Sequence, residues 1–290
     1  MAGYKGSSIN PKKFEKGQIK LILAVTPLAI LMLLPIIFIF CHAFKPMTEL
    51  FTFPPRFFVV NPTLDNFRGL MKASQTSGIP MSRYVFNSLV VTLSDVLLSI
   101  VLSTTAGFAL SKLKFRGKEA LMEINNMALM FVPVAVMIPR YLVIDTLNIT
   151  NNYLAHILPL LAMPVSLFLV KQFIDQIPDA LIDAAYMDGA TDFVVYRRII
   201  MPMIRPAIAT AAILSFQQVW ANVESSNLYM SEDGLRTLAF YMNTLANANN
   251  TVAGQGIAAA ATLIMFVPNL VMFIICQKNV MNTMAHSGIK

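Results

Sequence analysis

Charge is what this sequence has least of. Only 13% of its 290 residues are Asp, Glu, Lys or Arg, whereas 56% are hydrophobic; ordinary soluble domains carry about 25% charge. With so little charge the chain cannot solvate a soluble fold of this size. The tools of catalysis are sparse too. His42, His156 and His286 are scattered, and no H-E-x-x-H places two imidazoles on one helix face for zinc. No G-x-x-x-x-G-K-[ST] run occurs: "RGKEA" at Arg116–Ala120 lacks the leading glycine and the hydroxyl residue of a phosphate-cradling loop. No G-x-S-x-G elbow presents a nucleophilic serine. The chain is therefore expected to hydrolyse nothing itself and to bind no cofactor or metal.

What the chain has in plenty is long apolar segments. Leu21 to Cys41, "LILAVTPLAILMLLPIIFIFC", contains no charge, and about 20 apolar residues at 1.5 Å rise cross a hydrocarbon core of about 30 Å. Its apolar run exceeds that of a signal peptide and no small-x-small cleavage site follows, so it reads as a retained span. Five more segments qualify: roughly Val85 to Ser111, Ile124 to Leu142, Tyr153 to Val170, Pro206 to Val223 and Ile257 to Cys276. The expectation is an all-α integral membrane protein with six transmembrane helices. Six spans place both termini on one side of the lipid. Fifteen of the 22 Lys and Arg residues fall on that side, in the tail before residue 21, the loop "SKLKFRGKE", the segment Lys171 to Arg205 and the C-terminal tail. By the positive-inside rule that side is cytoplasmic. Orientation accounts for the net charge of +7, which calls for no nucleic-acid partner. Cys41 and Cys276 then lie at opposite faces and cannot pair within the chain.

One cytoplasmic stretch is too polar to cross lipid. In residues 178–202, "PDALIDAAYMDGATDFVVYRRIIMP", Pro178 suits a first helical turn and Asp179 favours the positive end of the helix dipole. Gly189 can end that helix in a left-handed conformation, and Thr191 can cap a second helix running through "FVVYRRII" toward Pro202. Small residues at 184, 185, 189 and 190 allow close backbone approach, and Leu181, Tyr186 and Met187 offer apolar contact, as docking into a groove requires. A passive helix lying on the inner leaflet is the plainer reading. Asp175, Asp179, Asp183, Asp188 and Asp192 precede Arg197 and Arg198, however, and an anionic leaflet repels such a series.

These residues carry a resemblance. "DAAYMDGA" followed by "IIMP" resembles the EAA loop of the permease subunits of binding-protein-dependent ABC importers: Glu-Ala-Ala, three residues, Gly, nine residues, Ile, one residue, Leu-Pro. Asp183, Ala184, Ala185, Gly189, Ile199, Met201 and Pro202 keep that spacing, with Asp for Glu at 183 and Met for Leu at 201. "VLSTTAGFALSKLKFRGK" (Val101 to Lys118) and the tail "MAHSGIK" further resemble the sugar-uptake branch, in particular its maltose-permease G-like subunits. The resemblance implies a bacterial cell-membrane machine in which this chain and a second, homologous permease pair above two ATPase subunits and below an extracytoplasmic sugar-binding protein. ATP and magnesium would sit in the ATPase subunits. Asp183, Ala184, Ala185, Asp188, Gly189, Ile199 and Pro202 would form the coupling helix and its return between spans four and five. In the tail from residue 284, His286, Gly288 and Lys290 would reach the ATPase interface; a frayed terminus is the plainer alternative.

Polar residues inside spans also ask for an explanation. Asp95 needs a partner, and a hydrogen bond to a neighbouring helix is preferred over sugar contact. Pro133 and Pro139 are expected to interrupt the third span. For sugar, the fifth span offers Gln217, Gln218, Trp220, Asn222 and Glu224; Gln217, Trp220 and Glu224 would share one helical face, while Trp220 equally suits an interface anchor. The alternative to an importer permease is a stand-alone secondary carrier or channel. Such carriers usually duplicate their halves within one chain, and no internal repeat is found here.

Overall fold

A computed structural model describes residues 16–76, 78–248 and 254–287. Among the described residues fifteen α-helices follow one another: α1 (Lys16–Ala43), α2 (Met47–Leu50), α3 (Asp65–Thr76), α4 (Met81–Lys112), α5 (Lys118–Met130), α6 (Pro133–Thr146), α7 (Tyr153–Leu161), α8 (Pro164–Asp175), α9 (Asp179–Met187), α10 (Asp192–Val195), α11 (Met201–Met203), α12 (Arg205–Trp220), α13 (Glu224–Tyr229), α14 (Leu238–Ala248) and α15 (Gln255–Ser287). A π-helical turn, Tyr196–Ile200, joins α10 to α11, and a 3-10 turn, Asp233–Leu235, precedes α14. Strands are absent among the described residues.

Among the described residues, three helices are long and apolar enough to cross a membrane by themselves: the stretches Ile19–Ala43, Met81–Lys112 and Gln255–Gln277. Three bent pairs bring the number to six if each pair is one span. The segment expected as a third straight span is two helices, α5 and α6, meeting at a 114° bend. The break falls at Phe131 and Val132, before Pro133 at the first turn of α6, whereas Pro139 lies inside α6 without ending it. The fourth expected span bends by 45° between α7 and α8, where Pro164 opens the second helix. The fifth is α12, 16 residues or about 24 Å long, reached through a 79° bend from the segment before it.

The packing of α4 shows how a bundle in lipid is held. Asn87, Ser88, Val91, Thr92, Asp95, Ser99, Ser103, Thr104, Gly107 and Phe108 are buried at three- and four-residue intervals, while Leu93, Leu97, Val101 and Leu102 are exposed. Apolar lipid gives no hydrophobic drive to helix pairing, so small and polar residues on the inner stripe do the joining. The α4 helix packs against α7, α8 and α12, and α15 packs against α1, α12 and α14. At Gly107 an added Cβ would come within 3.0 Å of Val170 Cγ1, which is how closely α4 and α8 approach. Asp95 has the interhelical partner expected for it. It is fully buried, and Ser215 of α12 donates to Oδ2 at 3.2 Å while Ser99 and Ser215 share a hydrogen bond of 2.7 Å. Cys41 and Cys276 are both free.

Two apolar clusters occupy the two ends of the bundle. One gathers Ala43, Leu70, Tyr84, Trp220, Leu238, Tyr241 and Met242. The other gathers Phe108, Val170, Ile174, Ile177, Ile182, Val195, Ile200 and Ile204, and it is the base on which residues 178–202 stand.

Candidate coupling site

The 178–202 segment is rooted by its apolar residues and displays the rest. Ile182 is buried in the cluster at its base, while Asp183, Ala184, Asp188 and Gly189 of the same stretch are exposed and Ala185 is half-buried. Met187 is 89% exposed, and Leu181, Tyr186 and Phe193 are exposed as well. A helix rooted by one isoleucine and presenting alanines, a glycine and a thioether outward has the surface a protein groove accepts.

The turn after α9 is built as the sequence anticipates. Gly189 has φ +81, and its N–H donates to Tyr186 O at 3.0 Å while Ala190 N–H donates to Ala185 O at 2.9 Å. This nested pair closes a helix end around a left-handed residue, here a glycine. No heavy atom lies within 4 Å of where a Cβ at 189 would be, so conformation alone asks for glycine in the isolated chain. Tyr186 Oη donates to Asp192 Oδ1 at 2.9 Å across the turn. Partial desolvation, then the hydrogen bond to Asp192 and the nearby charges of Asp192 and Asp183, raise the Tyr186 phenol above its ordinary value.

Beyond the turn the chain differs from one continuous second helix. Thr191 takes the capping position with extended backbone but makes no side-chain cap bond, and four residues of α-helix give way to the π-helical turn. Pro202 has no N–H for the carbonyl four residues back, which favours a shifted register there. Ile200 is buried, Ile199 half-buried and Pro202 exposed. Tyr196 shares a hydrogen bond with Thr104 of α4 at 2.8 Å.

Sequence reasoning passed over the groups that hold the segment's entry. Lys112, the last residue of α4, donates from Nζ to Ile177 O and to Asp179 Oδ1, each at 2.7 Å. Its side chain is 8% exposed, against 80% for that of Asp179. The hydrogen bond from Lys112, and then its charge, hold the Asp179 carboxyl below the usual carboxylate range. Ser111 donates to Asp175 Oδ1 at 2.5 Å, and Lys171 pairs with Oδ2 of the same carboxylate at 2.6 Å. "SKLK" gave only a charge count; its partners lie about 65 residues on, beyond the reach of any local pattern.

The sugar candidates of the fifth span do not form one face. Helix α12 ends at Trp220, so Glu224 begins α13 instead of extending the row from Gln217. Gln217 and Gln218 are exposed. Trp220 is 5% exposed, stacks on Phe216 at 5.7 Å and donates Nε1–H to Met265 O at 3.1 Å; its ring is a packing element between α12 and α15. Asn222 accepts from Ser225 N and Oγ at 2.9 and 2.6 Å and so caps the start of α13. Glu224 pairs with Arg140 of α6 at 3.3 Å, both side chains partly exposed. An apolar cavity of about 310 Å³, lined by residues including Ser103, Ala106, Asn125, Met163 and Pro164, touches none of these five. Of the tail residues, His286 falls in the last turn of the α15 backbone, and Gly288 and Lys290 lie outside the described residues.

Known proteins of similar sequence and fold identify the family. Residues 99–278 match the family model "Binding-protein-dependent transport system inner membrane component". A probable ABC transporter permease of Bacillus subtilis, YurM, is 29% identical over 72% of this chain and 70% of its own. The trehalose transport system permease SugB of Mycobacterium tuberculosis is 27% identical over 89% of this chain and 92% of its own. A solved bacterial ABC transporter involved in alginate import has a subunit that superposes with a TM-score of 0.78 at 19% identity, covering 93% of this chain and 99% of that one. The match to that subunit establishes a shared fold, and the family model spans more than half of the chain. The protein is a member of the binding-protein-dependent transport system inner membrane component family.

Proposed function

We propose that this chain forms, with a second homologous permease, the translocation pathway of an ATP-driven importer for an oligosaccharide or related carbohydrate. Residues 178–202 would be seated on a cytoplasmic ATPase subunit. The observation that carries the reading is the exposed stretch Asp183 to Gly189 standing on a buried isoleucine. Six spans with both termini cytoplasmic fit the distribution of lysine and arginine. Carbohydrate is favoured because relatives carry names such as trehalose and maltose/maltodextrin transport system permease. An extracytoplasmic binding protein would deliver the sugar, ATP binding would draw the coupling segments together, and the pathway would open outward by alternating access. Gln217, Gln218 and Glu224 remain the proposed sugar contacts, with Arg140 added by its pairing to Glu224. Trp220 and Asn222 are assigned to packing and capping.

The reading is tested by purifying the tagged chain from its native membranes in mild detergent. Stoichiometric co-elution of an ATPase subunit and a second permease is expected. A chain that elutes by itself and, reconstituted without ATP, moves sugar down a gradient would instead be a stand-alone carrier or channel.

A further inference from the structure

Of the three helices that can cross the membrane unaided, α1 contains Pro27 and Pro35 and α15 contains Pro268, whereas α4 contains no proline over 32 residues. Proline is the usual cause of a sharp bend in a helix, so α4 is the stiff member of the three. It is also fixed by polar bonds at three levels. At its last turn, Ser111 and Lys112 bind Asp175, Ile177 and Asp179 at the entry to α9. At mid-length, Asp95 and Ser99 bind Ser215 of α12. Near its first turn, Asn87 is fully buried, donates to Gly234 O at 2.9 Å and to Arg236 O at 2.8 Å, and accepts from Tyr153 Oη at 2.7 Å. Ser88 accepts from Leu238 N at 2.7 Å, and Arg83 donates to Gly234 O at 3.1 Å. The loop from Gly234 to Leu238 is thus tied to one end of the helix as the coupling segment is tied to the other. Asn87 and Lys112 are 25 residues apart, about 37 Å along the axis.

We infer that α4 is a transmission rod joining the coupling segment to the 234–238 loop at the opposite face, with Lys112 and Asn87 as its positioning residues. The inference rests on the proposed ATPase docking of residues 178–202. A displacement of α9 reaches Lys112 through two short bonds, is carried along a continuous helix without proline, and arrives at a loop whose carbonyls are held by Asn87. Coupling at such a distance needs an element that moves as one piece between two arrangements. A prolineless helix bonded at both ends is such an element. A loss of either pin uncouples the ends without touching nucleotide or sugar.

The test is a double-mutant cycle on the reconstituted full complex, reading how strongly sugar-loaded binding protein stimulates ATP hydrolysis. Lys112→Met and Asn87→Leu are each expected to reduce the stimulation at least about tenfold, since the first removes two charge-assisted hydrogen bonds and the second three made by a buried amide. Pins in series fail together, so the double variant should lose no more than the worse single one. Changes so far apart ordinarily act independently, and a double loss equal to the product of the single losses overturns the rod. Full stimulation in either single variant does the same. Lys112→Arg, which keeps the charge and donors, should restore most of the stimulation. If the larger changes prevent membrane insertion, Lys112→Gln and Asn87→Asp complete the same cycle. Failure of any ATPase subunit to co-purify with the unaltered chain would remove the docking reading and the rod with it, whereas multiplicative losses in an assembled complex remove the rod alone.

Discussion

The glycine at 189 allows the sharpest separation of two reasons for one residue. In the isolated chain its φ of +81 is the constraint, because a Cβ there would have no neighbour within 4 Å. A left-handed backbone costs an ordinary L-residue about 1–2 kcal/mol, with β-branched side chains at the upper end and Asn near the bottom. The population of the closed turn should then fall about 5-fold for Gly189→Ala and about 30-fold for Gly189→Val, with Gly189→Asn close to the native chain. If closure of the turn governs docking, sugar uptake by cells with equal membrane levels of each variant follows the order Gly, Asn, Ala, Val, with Val near background. A seated partner surface that forbids any side chain gives another order, in which Asn, larger than Ala, is the more damaging. Uptake by Gly189→Asn as poor as by Gly189→Val would therefore refute the conformational argument, and normal uptake by Gly189→Val would refute a role for the turn altogether.

Other expectations are more modest. Asp183→Asn should lower uptake by less than about 5-fold, since an exposed ion pair is worth about 0–1 kcal/mol; abolished uptake would show that this carboxylate is buried on docking. Asp179 is held below the ordinary carboxylate range by Lys112, so its stabilisation is complete above the unfolded value and is lost as pH falls through the lowered one. The melting difference between the native chain and Asp179→Asn should then stay constant from about pH 8 to about pH 5 and shrink only below about pH 4; a difference that grows in acid would contradict the pairing. Trp220→Phe keeps the stacked ring but loses the bond to Met265 O, and should cost about 1 kcal/mol of stability with uptake nearly unchanged. A large rise in the sugar concentration needed for half-maximal uptake would return Trp220 to the sugar pathway.

How far the sequence disclosed these features depended on how local their causes are. Pro178, Asp179 and Gly189 determine a helix end and a turn within a dozen residues, and the structure has both there. The three single spans were legible for the same reason, being continuous apolar runs. Pro133 marked where the third segment breaks, but the 114° angle depends on the packing of α5 and α6 and is not encoded by one residue. Asp95 announced that it needed a partner. That the partner is Ser215, 120 residues away, followed only from the pairing of α4 with α12. The shared face of Gln217, Trp220 and Glu224 failed because helical spacing applies only while the helix lasts, and α12 stops at Trp220.

The central claim is that the exposed end of α9 sits on an ATPase subunit, and a photoreactive amino acid in place of Met187, 89% exposed, tests it most directly. Illumination of membranes during sugar uptake should join this chain to an ATPase subunit, with a yield that changes when ATP is added. Adducts to lipid alone, in cells that still take up sugar, would contradict it.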